Sequence, residues 1–190
     1  MDELVEIRWH GRGGQGVVTA GKLLAEMALT NDWYFQTFPD YGPERMGAPI
    51  RAFTRLSSRP IRIHSQIENP NVVVVLDPTL LGTVQVADGL DASGKLVVNT
   101  SLAPREARGV VGYGTGKVFT VDASRIAIQE VGREITNTPM LGALAQATGL
   151  FGVQQVAGQL RAWFGKKLAP PAVEANVRAM QRAAQEVREG

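Results

Sequence analysis

Residues 5–16 of this 190-residue chain, VEIRWHGRGGQG, contain the pattern that decides the fold. Residues 5–9 have the composition of a β-strand, and apolar positions at helical spacing run from Val17 to Leu29. Between this strand and this helix, three glycines satisfy the pattern G-x-G-x-x-G: Gly11, Gly13 and Gly16. A strand, a glycine loop and a helix in this order open a βαβ unit. The sequence therefore predicts an α/β fold.

Five more strands are predicted at residues 33–38, 50–56, 72–76, 96–99 and 118–121. The unbroken apolar run at 72–76, VVVVL, is typical of a central strand that is covered on both faces. Residues 50–56 alternate in polarity, and a turn at Ser57 and Ser58 leads to a short partner strand at 61–63. This hairpin predicts an antiparallel part, so we expect a Rossmann-like, mixed but mostly parallel sheet with flanking helices.

Helices are predicted at residues 79–86, 125–135, 140–150 and 153–164 and in the last segment. The stretch 136–139 is expected to start the third of them, with a capping residue followed by Pro139 at the first helical position. The last segment carries one apolar stripe at spacings of 4, 3, 4 and 3 residues: Val173, Val177, Met180, Ala184 and Val187. A boundary near Leu168 then divides an α/β domain, residues 1–168, from a C-terminal docking helix, residues 169–190. The helix is either part of the same domain or an appendage.

The composition excludes several classes of protein. The 20 basic and 18 acidic residues give a net charge of only +2, and the basic residues form no dense patch, so a nucleic-acid partner is not expected. The chain has no cysteine, which excludes disulfides and cysteine ligands to iron–sulfur clusters. No apolar run approaches the roughly 20 residues that span a bilayer. We therefore expect no membrane contact and a cytoplasmic location.

The glycine loop is the candidate binding site. The start of a helix offers unpaired N–H groups and partial positive charge, which suit phosphate. The candidate residues are Gly11, Arg12, Gly13, Gly14, Gln15 and Gly16, where Arg12 could add a cation. A nicotinamide site also needs an acid about 20 residues later. Gln36, Thr37 and Phe38 stand there, with Asp40 slightly beyond. The glycines could also merely form a tight turn or bind the backbone of another chain.

Other polar residues have plain structural explanations beside functional ones. His10 is expected to be a packing residue rather than a catalytic one. Asp77 either presents a ligand contact at the carboxyl end of a strand or ends that strand. Asn137 either positions a ligand or caps a helix. Because no nucleophile–base pair and no set of metal ligands can be assembled, we predict no catalytic residue and no metal site.

Three stretches together resemble a known family. They are RGGQG at residues 12–16, YGPERMG at 41–47 and TNTPMLG at 136–142. In this order and spacing they resemble the gamma subunit of pyruvate and other 2-oxoacid:acceptor oxidoreductases, over nearly the whole chain. The second stretch departs from the commonest family pattern, ERRGG, at Met46 and Ala48.

The resemblance implies a multi-subunit enzyme. Its alpha, beta and delta-type chains would hold thiamine diphosphate, Mg²⁺ and 4Fe-4S clusters, while this chain binds no cofactor alone. The complex would convert a 2-oxoacid to acyl-coenzyme A and CO2 and pass electrons to ferredoxin or an NAD-linked acceptor. The gamma-type chain would act as a scaffold and a candidate contact for coenzyme A.

The resemblance also implies that this chain contacts its partners at Tyr41, Gly42, Pro43, Glu44, Arg45 and Asn137. Two alternatives remain open: a free-standing NAD(P)-linked oxidoreductase and a purely structural interaction domain. The sequence does not name the 2-oxoacid.

Overall fold

The computed structural model describes residues 4–40 and 47–190. The strands are β1 (Val5–Arg12), β2 (Tyr34–Pro39), β3 (Pro49–Ser57), β4 (Val72–Val75), β5 (Lys95–Asn99), β6 (Lys117–Val121) and β7 (Arg188–Glu189). The helices are α1 (Val17–Leu29), α2 (Pro104–Val111), α3 (Ala123–Val131), α4 (Asn137–Thr148), α5 (Val153–Phe164) and α6 (Pro170–Glu186). A single 3₁₀ turn, Pro78–Leu80, follows β4.

The described strands form one mixed sheet in the order β2-β3-β1-β4-β5-β6-β7. The four central strands, β1, β4, β5 and β6, run parallel. The pairs β1–β3, β2–β3 and β6–β7 are antiparallel. The α/β class and the mixed sheet with a parallel centre are thereby confirmed.

The valine side chains of β4 pack in two separate cores, one on each face of the sheet. Val72 and Val74 pack in a core that also contains residues of α1, α4, α5 and α6. Val73 and Val75 pack on the opposite face of the sheet, against α2 and the segment that follows β4. Because successive side chains of a strand point to opposite faces, a strand buried on both sides has to be apolar throughout. The prediction of a central strand from this run is confirmed.

Helix α6 packs in the same core as the rest of the chain. The stripe predicted from the sequence is buried at Val173, Val177, Met180 and Ala184. The backbones of α4 and α6 touch, because a methyl group on Gly142 would overlap the carbonyl oxygen of Met180. After α6 the chain adds β7 to the edge of the sheet beside β6. A docking role for residues 169–190 towards another chain stays a prediction.

The prediction of a hairpin after β3 was wrong. Residues 61–63 form no strand, and the antiparallel partners of β3 are β1 and β2. Both edges of β3 are therefore occupied. The carbonyl of Ile63 instead accepts a hydrogen bond from the buried Arg55 side chain at 3.5 Å.

The helix predicted at residues 79–86 was also wrong, because only one 3₁₀ turn forms there. Leu80 and Val86 both pack in the second core. Gly82 has a φ of 74°, which interrupts a regular α-helix over residues 79–86.

One unpredicted helix and two helix boundaries also differ from expectation. Helix α2 was missed, although Pro104 at its start and Glu106, which accepts a bond from Ala103 N–H, are common signals. Helix α3 ends at Val131, four residues early. Helix α4 begins at Asn137, ahead of the predicted Met140, and the Asn137 side chain accepts from Thr138 N–H.

None of the helices in the described ranges combines the length and apolarity that crossing a bilayer requires.

Candidate functional site

The candidate site lies at the carboxyl ends of the parallel strands. The glycine loop connects β1 to α1, Asp77 follows β4, and Asn137 begins α4. Ligands of open α/β sheets bind at this edge, where neighbouring strands connect in opposite directions. Such a reversal occurs here, because β1 lies between β3 on one side and β4 on the other.

The loop backbone requires glycine at two positions. Gly14 has a φ of 95° and Gly16 a φ of 77°, which side chains rarely tolerate. Gly13 N–H donates to the carbonyl of Ala48 at 3.0 Å, and Gly47 N–H donates back to Gly13 at 3.4 Å. The loop is thus joined to the start of β3. A side chain on Gly14 would meet nothing within 4 Å in the described structure, so the loop faces open space there.

The first turn of α1 provides donors without acceptors. Its first helical hydrogen bond runs from Ala20 N–H to the Gly16 carbonyl at 2.9 Å. Within residues 4–40 and 47–190, the N–H groups of Val17, Val18 and Thr19 have no acceptor. Gly16 has no side chain with which to cap them, and the first turn holds no acid. This arrangement is suited to an anion.

Arg12 contributes its charge at the same place, but its donors are largely used. Its guanidinium donates to Thr79 Oγ1 at 2.8 and 3.0 Å and to the Gly47 carbonyl at 3.0 Å. Arg12 Nε also lies 3.4 Å from Asp77 Oδ2, while 32% of the side chain stays exposed. Arg12 is therefore held in position at the mouth of the loop, with a face still open to a ligand.

Asp77 accepts hydrogen bonds from residues that contact the glycine loop. Its carboxylate accepts from Thr79 N–H at 2.8 Å, from Thr79 Oγ1 at 2.6 Å and from the Gln15 amide. Burial raises the pKa of Asp77, but the bonds from Thr79 and Gln15 and the Arg12 charge outweigh burial and leave this pKa below its ordinary value. An ionised carboxylate so fully engaged is a poor proton acceptor, and its bonds hold Thr79 and Gln15 in place.

Gln15 links the loop to Asp77. Its Oε1 accepts from Arg12 N–H at 2.8 Å while its Nε2 donates to Asp77. Sequence analysis missed Thr79, which bonds both Asp77 and Arg12. The Asp-Pro-Thr sequence after the valine run is the signal that could have found it, because Asp commonly accepts from the N–H two residues later.

Asn137 lies against the glycine loop. Only 6% of this residue is exposed. A Cβ atom built on Gly16 would stand 2.5 Å from Asn137 Nδ2 and 3.0 Å from its Cγ. The first and third of the three sequence motifs are therefore one site in space. Asn137 as a partner contact stays a prediction, and the predicted contacts at residues 41–45 lie outside the described residues.

His10 is a buried packing residue next to this site. Burial, assisted by the charges of Arg8 and Arg51, lowers the pKa of His10 to about 3. Sequence analysis did not single out Arg8, which is 3% exposed and donates to His10 and to the Val86 carbonyl. Nothing local in the sequence marks this arginine as buried.

The acid that a nicotinamide site requires is not supplied by β2. This strand lies at the edge of the sheet, separated from β1 by β3. Asp40, just beyond it, forms an ion pair with Arg51 at 2.6 Å and accepts from Gln66 at 2.6 Å. Asp40 is therefore already engaged by a cation and an amide donor. Among the described residues, no group of three or more histidines and acids is arranged to hold a metal ion.

Comparison with known proteins gives a consistent result. The family model described as "Pyruvate ferredoxin/flavodoxin oxidoreductase" matches residues 6–186. The pyruvate synthase subunit PorC of Thermotoga maritima is 47% identical over 183 residues, which cover 96% of this chain and 94% of the relative. The common subunit gamma of the pyruvate/ketoisovalerate oxidoreductases of Thermococcus litoralis is 48% identical over 176 residues, covering 90% of this chain and 95% of the relative.

A solved structure agrees with these sequence matches. The crystal structure of the pyruvate oxidoreductase subunit PORC of Thermotoga maritima superposes with a TM-score of 0.88 and 42% identity, covering 100% of this chain and 99% of that one. The sheet order and the glycine loop described above thus occur in a chain with full-length similarity to known subunits. This chain belongs to the pyruvate ferredoxin/flavodoxin oxidoreductase family, as a subunit of the gamma type.

Proposed function

We propose that the chain works inside a thiamine-diphosphate-dependent complex that converts a 2-oxoacid to acyl-coenzyme A and CO2, and that its glycine loop binds phosphate groups of coenzyme A. Companion alpha, beta and delta-type chains would hold thiamine diphosphate, Mg²⁺ and 4Fe-4S clusters and pass electrons to ferredoxin or an NAD-linked acceptor. The names of the two relatives, a pyruvate synthase subunit and a pyruvate/ketoisovalerate oxidoreductase subunit, support this assignment.

The start of α1 is the observation that carries the coenzyme A proposal. Three backbone N–H groups without an acceptor in the described structure point out of the helix beside a positively charged, partly exposed Arg12. Coenzyme A carries a diphosphate and a 3′-phosphate, which match such donors. Gly14 leaves the approach open, since no described atom lies within 4 Å of the position its side chain would take.

The chemistry of the residues supports a scaffold role beside this contact. The chain contains no cysteine, so it offers no thiolate to an iron–sulfur cluster. The charged groups at the loop, Arg12 and Asp77, hold each other and Thr79 rather than presenting a reactive group. We therefore place the cleavage of the 2-oxoacid on the companion chains.

The alternative of a free-standing NAD(P)-linked enzyme is less well supported. It needs a carboxylate that binds ribose hydroxyls beside the loop. Asp40 is the nearest acid after β2, and it is paired with Arg51 and Gln66. No observation favours this alternative over coenzyme A.

The test uses the complex with substituted gamma chains. Arg12→Ala removes the cation, and Gly14→Val places a branched side chain in the open approach. We expect the KM for coenzyme A to rise at least about tenfold while the complex still assembles by size-exclusion chromatography. Arg59→Ala is the matched control, because Arg59 is exposed just after β3, at the opposite end of the sheet. An unchanged KM in both loop variants would reject the coenzyme A contact.

Co-purification tests the assignment to a complex. From its native source, the chain should elute with companion chains that contain thiamine diphosphate and show the visible absorbance of iron–sulfur clusters. Elution as a lone polypeptide that oxidises a substrate with NAD would reject the assignment.

A further inference from the structure

Strand β2 forms one outer edge of the sheet. Among the described residues it pairs with β3 on one side and with no strand on the other. The N–H of Asp40, just after β2, donates to the carbonyl of Arg51 on β3 at 2.9 Å. Because hydrogen-bonded pairs alternate along an antiparallel ladder, Phe35 and Thr37 turn their N–H and C=O groups away from β3. These groups lie open at the edge of the described sheet.

The proline at the end of β2 agrees with this alternation. Pro39 lies two residues after Thr37, so it also occupies an outward-facing position. Proline has no N–H, and an edge strand tolerates it only where the missing donor would face away from the ladder. The N–H groups that β2 offers to a further strand are therefore those of Phe35 and Thr37.

The side chains of β2 do not protect this edge from pairing. Natural edge strands commonly carry charged residues that prevent association. The sequence of β2, YFQTFP, contains none. Two large apolar side chains at this side of the chain are also exposed: Leu29 at the end of α1, 59% exposed, and Tyr34 at the start of β2, 49% exposed. An uncharged edge beside exposed apolar side chains is typical of a surface that another strand covers.

The outward groups of β2 are complementary to those of a second, antiparallel β2 strand. When Gln36 lies opposite itself across a two-fold axis, Phe35 of each copy lies opposite Thr37 of the other. Both of these pairs are hydrogen-bonded pairs, so every outward N–H of the two strands finds a carbonyl. In the same register Tyr34 lies opposite Phe38 of the second copy, on the same face of the sheet. Aromatic cross-strand pairs stabilise such a ladder.

We propose that two copies of this chain associate through β2, antiparallel and with Gln36 opposite itself, so that their sheets become one continuous sheet. The occupant of the edge is a second copy because the donors, acceptors and aromatic side chains of one β2 match those of another. A two-fold contact of this kind uses the same surface on both copies and closes. The proposal goes beyond the proposed function, since it concerns how many copies of the chain the complex contains and not the glycine loop.

Disulfide trapping tests the register, and the absence of cysteine from the chain makes the trapping specific. Gln36→Cys places one thiol of each copy at the two-fold axis, where opposite Cα atoms are about 4.5–5.5 Å apart, a distance that a disulfide spans. Arg55, which donates to Gln36 at 3.2 Å, keeps its ion pair with Glu6 in this variant. The matched control is Tyr34→Cys. Its thiol is exposed, but the two copies of residue 34 lie four positions apart along the ladder, about 13 Å, which is too far for a disulfide.

The full-length variants are incubated with oxidised glutathione and separated on a non-reducing gel. We expect at least about fivefold more cross-linked dimer for Gln36→Cys than for Tyr34→Cys. Equal trapping of both variants, or trapping of neither, would overturn the proposal. A strand of a companion chain as the true occupant would give the second of these results.

Sedimentation of the full-length chain is a second measurement that needs no new thiol. Wild type should sediment as a dimer at micromolar concentration. Tyr34→Lys places a charge at the edge and removes an aromatic pair at both ends of the contact, so we expect its dissociation constant to rise at least about tenfold. Ile128→Lys is the control, since Ile128 is similarly exposed but lies on α3, away from β2. A monomeric wild type, or a dimer that Tyr34→Lys leaves unchanged, would refute the contact.

Discussion

Arg8 Nε donates a hydrogen bond to His10 Nε2 at 3.1 Å, two residues along the same strand, and both side chains are 3% exposed. The remaining guanidinium donors of Arg8 bind the carbonyls of Glu68, Val86 and Asp88. Because Nε2 accepts, the imidazole is neutral with its proton on Nδ1. The hydrogen-bond acceptors of this buried cation are thus neutral, while the charge of Asp88 also acts on it, and Arg8 joins β1 to the chain at residues 68–88.

This pair makes the stability of the chain dependent on pH. The pKa of His10 is about 3 in the native state, against an ordinary value of 6.5. Between these values the unfolded chain binds a proton that the native chain does not, so stability falls as pH drops below 6.5. At pH 5 the loss relative to pH 7 is about 2 kcal/mol. Urea denaturation at pH 7, 6 and 5 measures it.

The control for this loss is His10→Gln, which keeps an acceptor for Arg8 but does not titrate. Carboxylates contribute equally to both proteins, so the difference between the two pH slopes isolates His10. Parallel slopes would show that His10 titrates normally in the native chain.

The contact between Gly16 and Asn137 predicts that Gly16→Ala destabilises the chain. The φ of 77° is unfavourable for alanine, and the new methyl group would displace the Asn137 side chain. We expect a loss of about 2–4 kcal/mol in the free energy of unfolding. Gly14→Ala has the same backbone problem without the steric one, and should lose only about 1–2 kcal/mol. Equal losses for both variants would contradict the close contact. Chemical denaturation of the two variants decides.

The touching backbones of α4 and α6 predict a large effect of Gly142→Ala. The methyl group has no room beside the Met180 carbonyl, so the helices have to separate. A loss of about 2–4 kcal/mol is expected, with faster hydrogen exchange along α6. Gly158→Ala, in α5 with no described atom within 4 Å of the added carbon, should instead stabilise the chain by about 0.5–1 kcal/mol. If Gly142→Ala leaves the free energy of unfolding unchanged, α6 packs loosely against α4.

Replacing Asp77 by Asn tests the network below the loop. Asp77 has a lowered pKa, so its carboxylate stabilises the native state above the unfolded pKa and ceases to do so as pH falls through the native value. Asp77→Asn should lower the free energy of unfolding by about 1–2 kcal/mol at pH 7. The difference between the variant and wild type should become smaller towards pH 3. Asp91→Asn is the comparison: the bonds from Ser93 also lower the pKa of Asp91, so its difference from wild type should narrow in the same direction, but Asp91 lies at the exposed surface and does not contact the loop. A difference from wild type that is the same at pH 7 and pH 3 would contradict this account. Urea denaturation at both pH values measures it.

Local pattern was enough to predict the centre of the fold. Residues that are close in sequence determine the strand, glycine loop and helix at 5–29. The same holds for the valine run of β4. The antiparallel partner of β3 could not be predicted in this way, because β1 reaches that edge from a distant part of the chain. The meeting of Gly16 with Asn137, and the burial of Arg8 under residues 68–88, depend equally on tertiary packing.

A hydrogen-bonded network orders the glycine loop before any ligand binds. It consists of Arg12, Gln15, Asp77 and Thr79. These side chains already hold the glycine loop in one shape through bonds among themselves. The conformational entropy of ordering the loop is therefore lost when the chain folds, not when a ligand arrives. Such a preorganised receptor should associate at a rate limited by access to the loop, with free and occupied backbones that superpose closely.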